Sequence, residues 1–183
     1  MKIVKKIFQL IREIKLHGFL GNIYNYISPE KYMKSYTKAL KKRGINIVGN
    51  PKFISNSVWF DGNDYSKITI GDNVTISKEV MLLTHDYSIT TAFATIGKKI
   101  ERGGGEIYFS KAITIGNNCF IGARVTLLPG TTIGDNCIIG ACSVVKGTID
   151  SNSIIVGNPA RKIGETTAFA RNHLDKKDYY TEE

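Results

Sequence analysis

From Ile115 to Val145 an aliphatic residue recurs at every sixth position: Ile115, Ile121, Leu127, Ile133, Ile139 and Val145. Four residues after each stands a small or β-branched one, at Cys119, Val125, Thr131, Cys137, Ser143 and Ile149. Glycine directly follows four of the leading aliphatics, as Gly116, Gly122, Gly134 and Gly140. This spacing matches neither the period of an α-helix nor the strict alternation of a free strand. It predicts a mainly β solenoid of short parallel strands. Three strands make a coil of about 18 residues, and each coil buries its apolar column against its neighbours.

The same period is present earlier, in Ile70, Ile76 and Leu82 with Val74 and Val80. Between Gly44 and Ser66 it blurs, and one or two irregular coils are expected there. From residue 85 to 112 the register stops, in a stretch that opens His85-Asp86-Tyr87 and contains Gly103-Gly104-Gly105. A loop longer than about 15 residues inside a compact domain is usually functional or disordered. Both flanks resume the period, so this one is expected to protrude from a corner of a continuous coil.

Before the coil the pattern is helical. Ile3, Ile7, Leu10, Ile11 and Ile14 fall on one face of a helix, with Lys2, Lys5, Lys6, Arg12 and Lys15 mostly opposite. A second helix is predicted over Pro29 to Arg43, with Ser28 as N-cap, Pro29 in the first turn and Gly44 as the stop. The organisation expected is a basic helical cap over 1–43, a β-helix domain over 44–163 and a polar, helical tail over 164–183.

Charge sharpens the picture of the cap. The first 43 residues hold eleven Lys and Arg against two acids, so the whole net charge of +9 resides there. Two readings stand for this segment: a cover for the open end of the first coil, and a basic face lying on an anionic membrane. Its aromatic residues follow no nucleic-acid-binding order, and no nucleic-acid partner is expected. No apolar run reaches the roughly 18 residues of a membrane span, and the charged N-terminus lacks a signal-peptide core. A cytoplasmic location is expected, at the inner face of the membrane if the cap binds lipid. The three cysteines sit in coil positions. Cys119 and Cys137 are expected to pack inward as thiols and Cys142 to point outward. None has metal-ligand spacing.

Of three histidines, only His85 lies where the coil breaks. A side chain at the root of a departing loop faces a cleft, and a neutral imidazole there can take a proton from a hydroxyl near neutral pH. His85 is therefore the candidate catalytic base. Asp86 is adjacent in sequence and poorly placed to orient that ring, so an orienting group is expected from elsewhere. Asp86 is retained as a candidate substrate contact.

The segments ITIGNNCFIGARVTLLPGTTIGDNCIIGACSVVKGTI and IIVGNPARKI, with the His-Asp-Tyr opening of the loop, resemble the hexapeptide-repeat acetyltransferases. The branch resembled contains the maltose, galactoside and surface-polysaccharide O-acetyltransferases, and the match covers about residues 68–163. The resemblance implies a left-handed coil, a homotrimer with sites between subunits, and acetyl-CoA as co-substrate without a metal. It implies an acetyl transfer to a sugar or polysaccharide hydroxyl, with His85 deprotonating the acceptor. Phe120 stands where many relatives have tryptophan beside the cofactor arm; packing against a neighbouring subunit is an equal reading. Ala123 and Ala141 would let the pantetheine approach, and Arg161 with Lys162 would meet the nucleotide phosphates. Relatives read Thr-Lys where this chain reads Lys146-Gly147, which shifts the candidate phosphate contact of Lys146 by one place. Asn56 and Asp61 fall near where relatives bind the acceptor sugar; an asparagine ladder or turn chemistry is an equal reading for either.

Antibiotic O-acetylation, N-acetylation of an amino sugar and a non-catalytic scaffold remain open on this fold. A zinc anhydrase does not, because it needs three histidine ligands and the coil region contains one.

Overall fold

The aliphatic column is a stack in space. Ile121 lies between Ile76 and Ile139 on parallel neighbours, and Leu127 lies between Leu82 and Val145. The computed structural model describes residues 28–62, 64–98, 100, 105–177 and 179–181. Helix α1 (Pro29–Arg43) comes first. The first coil is β1 (Asn46–Ile47), β2 (Phe53–Ile54) and β3 (Trp59–Phe60). A short 3-10 turn, Tyr65–Lys67, leads to the second, β4 (Ile68–Ile70), β5 (Thr75–Ile76) and β6 (Met81–Leu82). There the coil is interrupted by β7 (His85–Asp86), helix α2 (Ser88–Thr95) and β8 (Phe109–Ser110). It resumes with β9 (Ile113–Ile115), β10 (Phe120–Ile121) and β11 (Thr126–Leu127), then β12 (Thr132–Ile133), β13 (Ile138–Ile139) and β14 (Val144–Val145). Strands β15 (Thr148–Ile149), β16 (Ser153–Gly157) and β17 (Ala160–Glu165) and helix α3 (Thr166–Lys176) complete the chain.

Equivalent strands of successive coils pair into three parallel sheets, β1-β4-β9-β12-β15, β2-β5-β10-β13-β16 and β3-β6-β11-β14. Strand β17 turns back antiparallel on β16 and ends the second sheet. In most of these strands the last residue is buried and the one before it faces out, so the column lines the prism interior. Every leading aliphatic from Ile115 to Val145 is at most 1% exposed. The coils approach so closely that a Cβ on Gly116 would lie 2.7 Å from the carbonyl carbon of Gly134. Asparagine serves one corner. Asn73, Asn118, Asn136 and Asn152 all adopt left-handed φ, between 52 and 62°, a region their short polar side chains tolerate. Their amides form a ladder of 2.8, 2.8 and 3.1 Å bonds from coil to coil.

Helix α1 has the predicted bounds, and Gly44 stops it at φ 107°. The Ser28 side chain makes no capping bond. Tyr32, Met33, Tyr36 and Leu40 bury on the core, and the Met33 sulfur accepts the N–H of Ile54 at 3.4 Å. The amphipathic segment expected before Pro29 lies outside the described residues. Upstream of Ser66 a single coil forms, in register with the next; the irregularity is the 3-10 turn after it. The interruption has structure of its own, since β7 and β8 pair antiparallel with His85 opposite Ser110. Cys119 and Cys137 are buried free thiols and Cys142 is exposed.

Candidate active site

Strands β3 and β6 are parallel neighbours, Trp59 beside Met81, and both segments run on toward the same corner. The Asp61 N–H donates to Leu82 at 3.1 Å, and the buried Thr84 hydroxyl donates to the Asp61 carbonyl at 3.2 Å. Those bonds fix the backbones from which two candidate side chains project. Nδ1 of His85 lies 2.7 Å from Oδ2 of Asp61. The imidazole is 27% exposed and the carboxylate 16% exposed, so the pair is sheltered but open to a ligand. With Nδ1–H donating to the carboxylate, the lone pair of the neutral ring sits on Nε2. Gly62 follows Asp61 with a left-handed φ of +82°, which favours glycine, and a Cβ there would press on the Thr84 hydroxyl at 3.2 Å.

Asp86 is engaged differently. Its carboxylate accepts the Ser88 N–H at 2.8 Å, at the start of α2. That hydrogen bond is the main reason its pKa lies below the usual aspartate value, with smaller help from Lys146 and His85. A cavity of about 210 Å³ opens beside it, lined by Asp86, Phe109, Lys111, Leu128, Pro129 and Lys146. Lys146 thus stands near the histidine corner.

The remaining candidates stand apart. Phe120, 45% exposed, projects from the second sheet into a groove shared with Asn118, Ile138, Asn152 and Phe169 of α3. Ala123 and Ala141 follow β10 and β13 at the corner between the second and third sheets, linked by a 2.9 Å bond from Cys142 N–H to the Ala123 carbonyl. Arg161 and Lys162 are exposed on β17; Lys162 pairs with Glu165 at 3.2 Å, and Arg161 donates to the Ala160 carbonyl at 2.8 Å. Asn56 is half-buried in the turn after β2. The structure brings together His85, Asp61, Asp86 and Lys146. It leaves Phe120, Ala123, Ala141, Arg161 and Lys162 on another part of the prism. Sequence reasoning missed the Asp61–His85 bond and the aromatic residues Tyr87 and Tyr108 around the imidazole. The aspartate precedes the histidine by 24 residues and not by the roughly 18 of one coil, so the period carries no signal for it. Among the described residues no three His, Cys, Asp or Glu side chains gather as a metal site.

The family described as bacterial transferase hexapeptide (six repeats) matches residues 112–147. The chain is 37% identical over 140 residues to protein CapG of Staphylococcus aureus, covering 76% of this chain and 77% of that protein. It is 38% identical over 137 residues to the galactoside O-acetyltransferase of Escherichia coli (strain K12), covering 75% of this chain but 60% of the enzyme. Among solved structures, a galactoside acetyltransferase in complex with coenzyme A superposes with a TM-score of 0.58 at 28% identity, over 95% of this chain and 90% of that one.

Proposed function

The chain belongs to the hexapeptide-repeat acetyltransferases, with their left-handed parallel β-helix, and we propose that it transfers acetyl from acetyl-CoA to a hydroxyl of a sugar or surface-polysaccharide precursor. The observation that carries this reading is the 2.7 Å bond between His85 and Asp61 in a partly open corner. Acetyl-CoA, when bound, supplies the acetyl group as a thioester. His85 does the proton work: Nε2 takes the proton of the acceptor hydroxyl as its oxygen attacks the acetyl carbonyl, and returns a proton to the departing sulfur. Asp61 holds the ring with Nε2 outward and stabilises the imidazolium that forms. Asp61, expected on the acceptor side, is thereby assigned to the base. Held acceptor and thioester gain further rate from proximity.

The donor set suits a phosphorylated nucleotide with a slender arm. Phe120 offers an exposed ring, Ala123 and Ala141 offer small side chains, and Arg161 and Lys162 offer cations for phosphate. These residues and His85 occupy different corners of one prism, which supports a homotrimer in which the histidine of one copy faces the alanine strip of another. The basic face of α1, with Lys34, Lys38, Lys41 and Lys42, supports peripheral contact with an anionic membrane and a place at its cytoplasmic face. No helix among the described residues is long and apolar enough to cross a membrane.

The test is a mass-spectrometric screen of purified protein with acetyl-CoA and a panel of glycans. One glycan gaining a single acetyl on a hydroxyl supports the reading. Acetyl landing on an amine, or on nothing, overturns it.

A further inference from the structure

Two exposed tyrosine rings stand beside His85, and the proton transfer uses neither. Tyr87 directly follows β7 and Tyr108 directly precedes β8. The antiparallel ladder that pairs Asp86 with Phe109 therefore carries these two to the same end. Their ring centroids lie 4.9 Å apart at an interplanar angle of 39°. Both meet the imidazole edge-on, Tyr87 at 5.3 Å and Tyr108 at 6.2 Å. Yet Tyr87 is 42% and Tyr108 49% exposed. Paired aromatic rings held by a strand ladder, open to solvent and next to a candidate base, form a surface suited to a flat partner with an apolar face.

We infer that Tyr87 and Tyr108 form the platform on which the ring of the acceptor sugar lies while one of its hydroxyls meets His85. The inference rests on the acetyl-transfer reading and names how the acceptor is held. A pyranose presents C–H groups on its faces and hydroxyls around its rim. Laid at van der Waals distance, about 4 Å, on either tyrosine, it keeps those rim hydroxyls beside the imidazole. A ring-free alcohol gains nothing from such a surface, so the platform selects cyclic acceptors.

The experiment is saturation-transfer NMR on the full chain, with methyl galactopyranoside, methyl glucopyranoside and N-acetylglucosamine as probes. Glycerol is the ring-free control, and acetyl-CoA affinity is measured on the same samples. At least one pyranoside is expected to bind, with its ring C–H protons receiving the strongest saturation. Tyr87→Ala and Tyr108→Ala are each expected to weaken it about tenfold. Tyr87→Phe and Tyr108→Phe should stay within about twofold, and acetyl-CoA affinity should not change. The platform is overturned if no pyranoside binds, if the alanine variants bind it as the parent does, or if they weaken acetyl-CoA equally. Loss of acetyl-CoA binding by the parent chain would instead remove the acetyl-transfer reading itself.

Discussion

His85 and Asp61 reach one corner from successive coils, and Nδ1 of the first lies 2.7 Å from Oδ2 of the second. The bond selects the tautomer with a free Nε2, and the carboxylate stabilises positive charge on the ring. Asp61→Asn keeps the shape but lets the amide donate to Nδ1, which places the ring proton on Nε2. That variant is expected to lower kcat about 10²-fold or more, with acetyl-CoA affinity unchanged. Steady-state kinetics beside a direct binding measurement would check the split. An Asp61→Asn enzyme with the parent kcat would show that the carboxylate does not act through the histidine.

The coil was legible because burial repeats it: each inward position must be apolar or small, and the period of six writes that demand along the chain from Ile115 to Val145. Helix α1 was legible from Pro29 and Gly44, whose backbone preferences act locally. His85 was singled out because the register fails at its position. The bond to Asp61 was not legible. The 3-10 turn at Tyr65–Lys67 inserts residues between the two coils, and hexad counting then no longer aligns Asp61 with anything. The β7–β8 ladder joins residues across the whole interruption, and no local periodicity marks such a pairing.

The prism interior is a stack of fully enclosed aliphatics, so a hole there cannot collapse without moving several coils. Ile133 is 1% exposed and lies between Ile115 and Ile149 on its neighbours. Ile133→Ala is expected to cost about 2–5 kcal/mol. The drop should be visible as a lower urea midpoint with the slope retained. A loss below about 1 kcal/mol would mean this column does not hold the coils together.

Burial pushes the Cys119 thiol from its usual 9.0 up to about 12, and burial likewise raises Tyr36 from 10.0 to about 12. The unfolded chain releases these protons at a lower pH than the folded one does. Above pH 9 the folded state binds more protons, and stability falls as pH rises from there toward 12. Denaturation midpoints taken between pH 8 and 11 are expected to decline, and less steeply in Cys119→Ser. Near pH 8 a thiol reagent should label Cys142 promptly and reach Cys119 and Cys137 only on unfolding. Prompt labelling of all three would contradict the enclosed column.

The direct test of the account is coenzyme A thiol release from acetyl-CoA with the acceptor found in the glycan screen, comparing the parent chain with His85→Ala. Turnover is predicted to fall about 10²-fold or more, as expected on losing a general base, while acetyl-CoA still binds. Unchanged turnover in His85→Ala would contradict it.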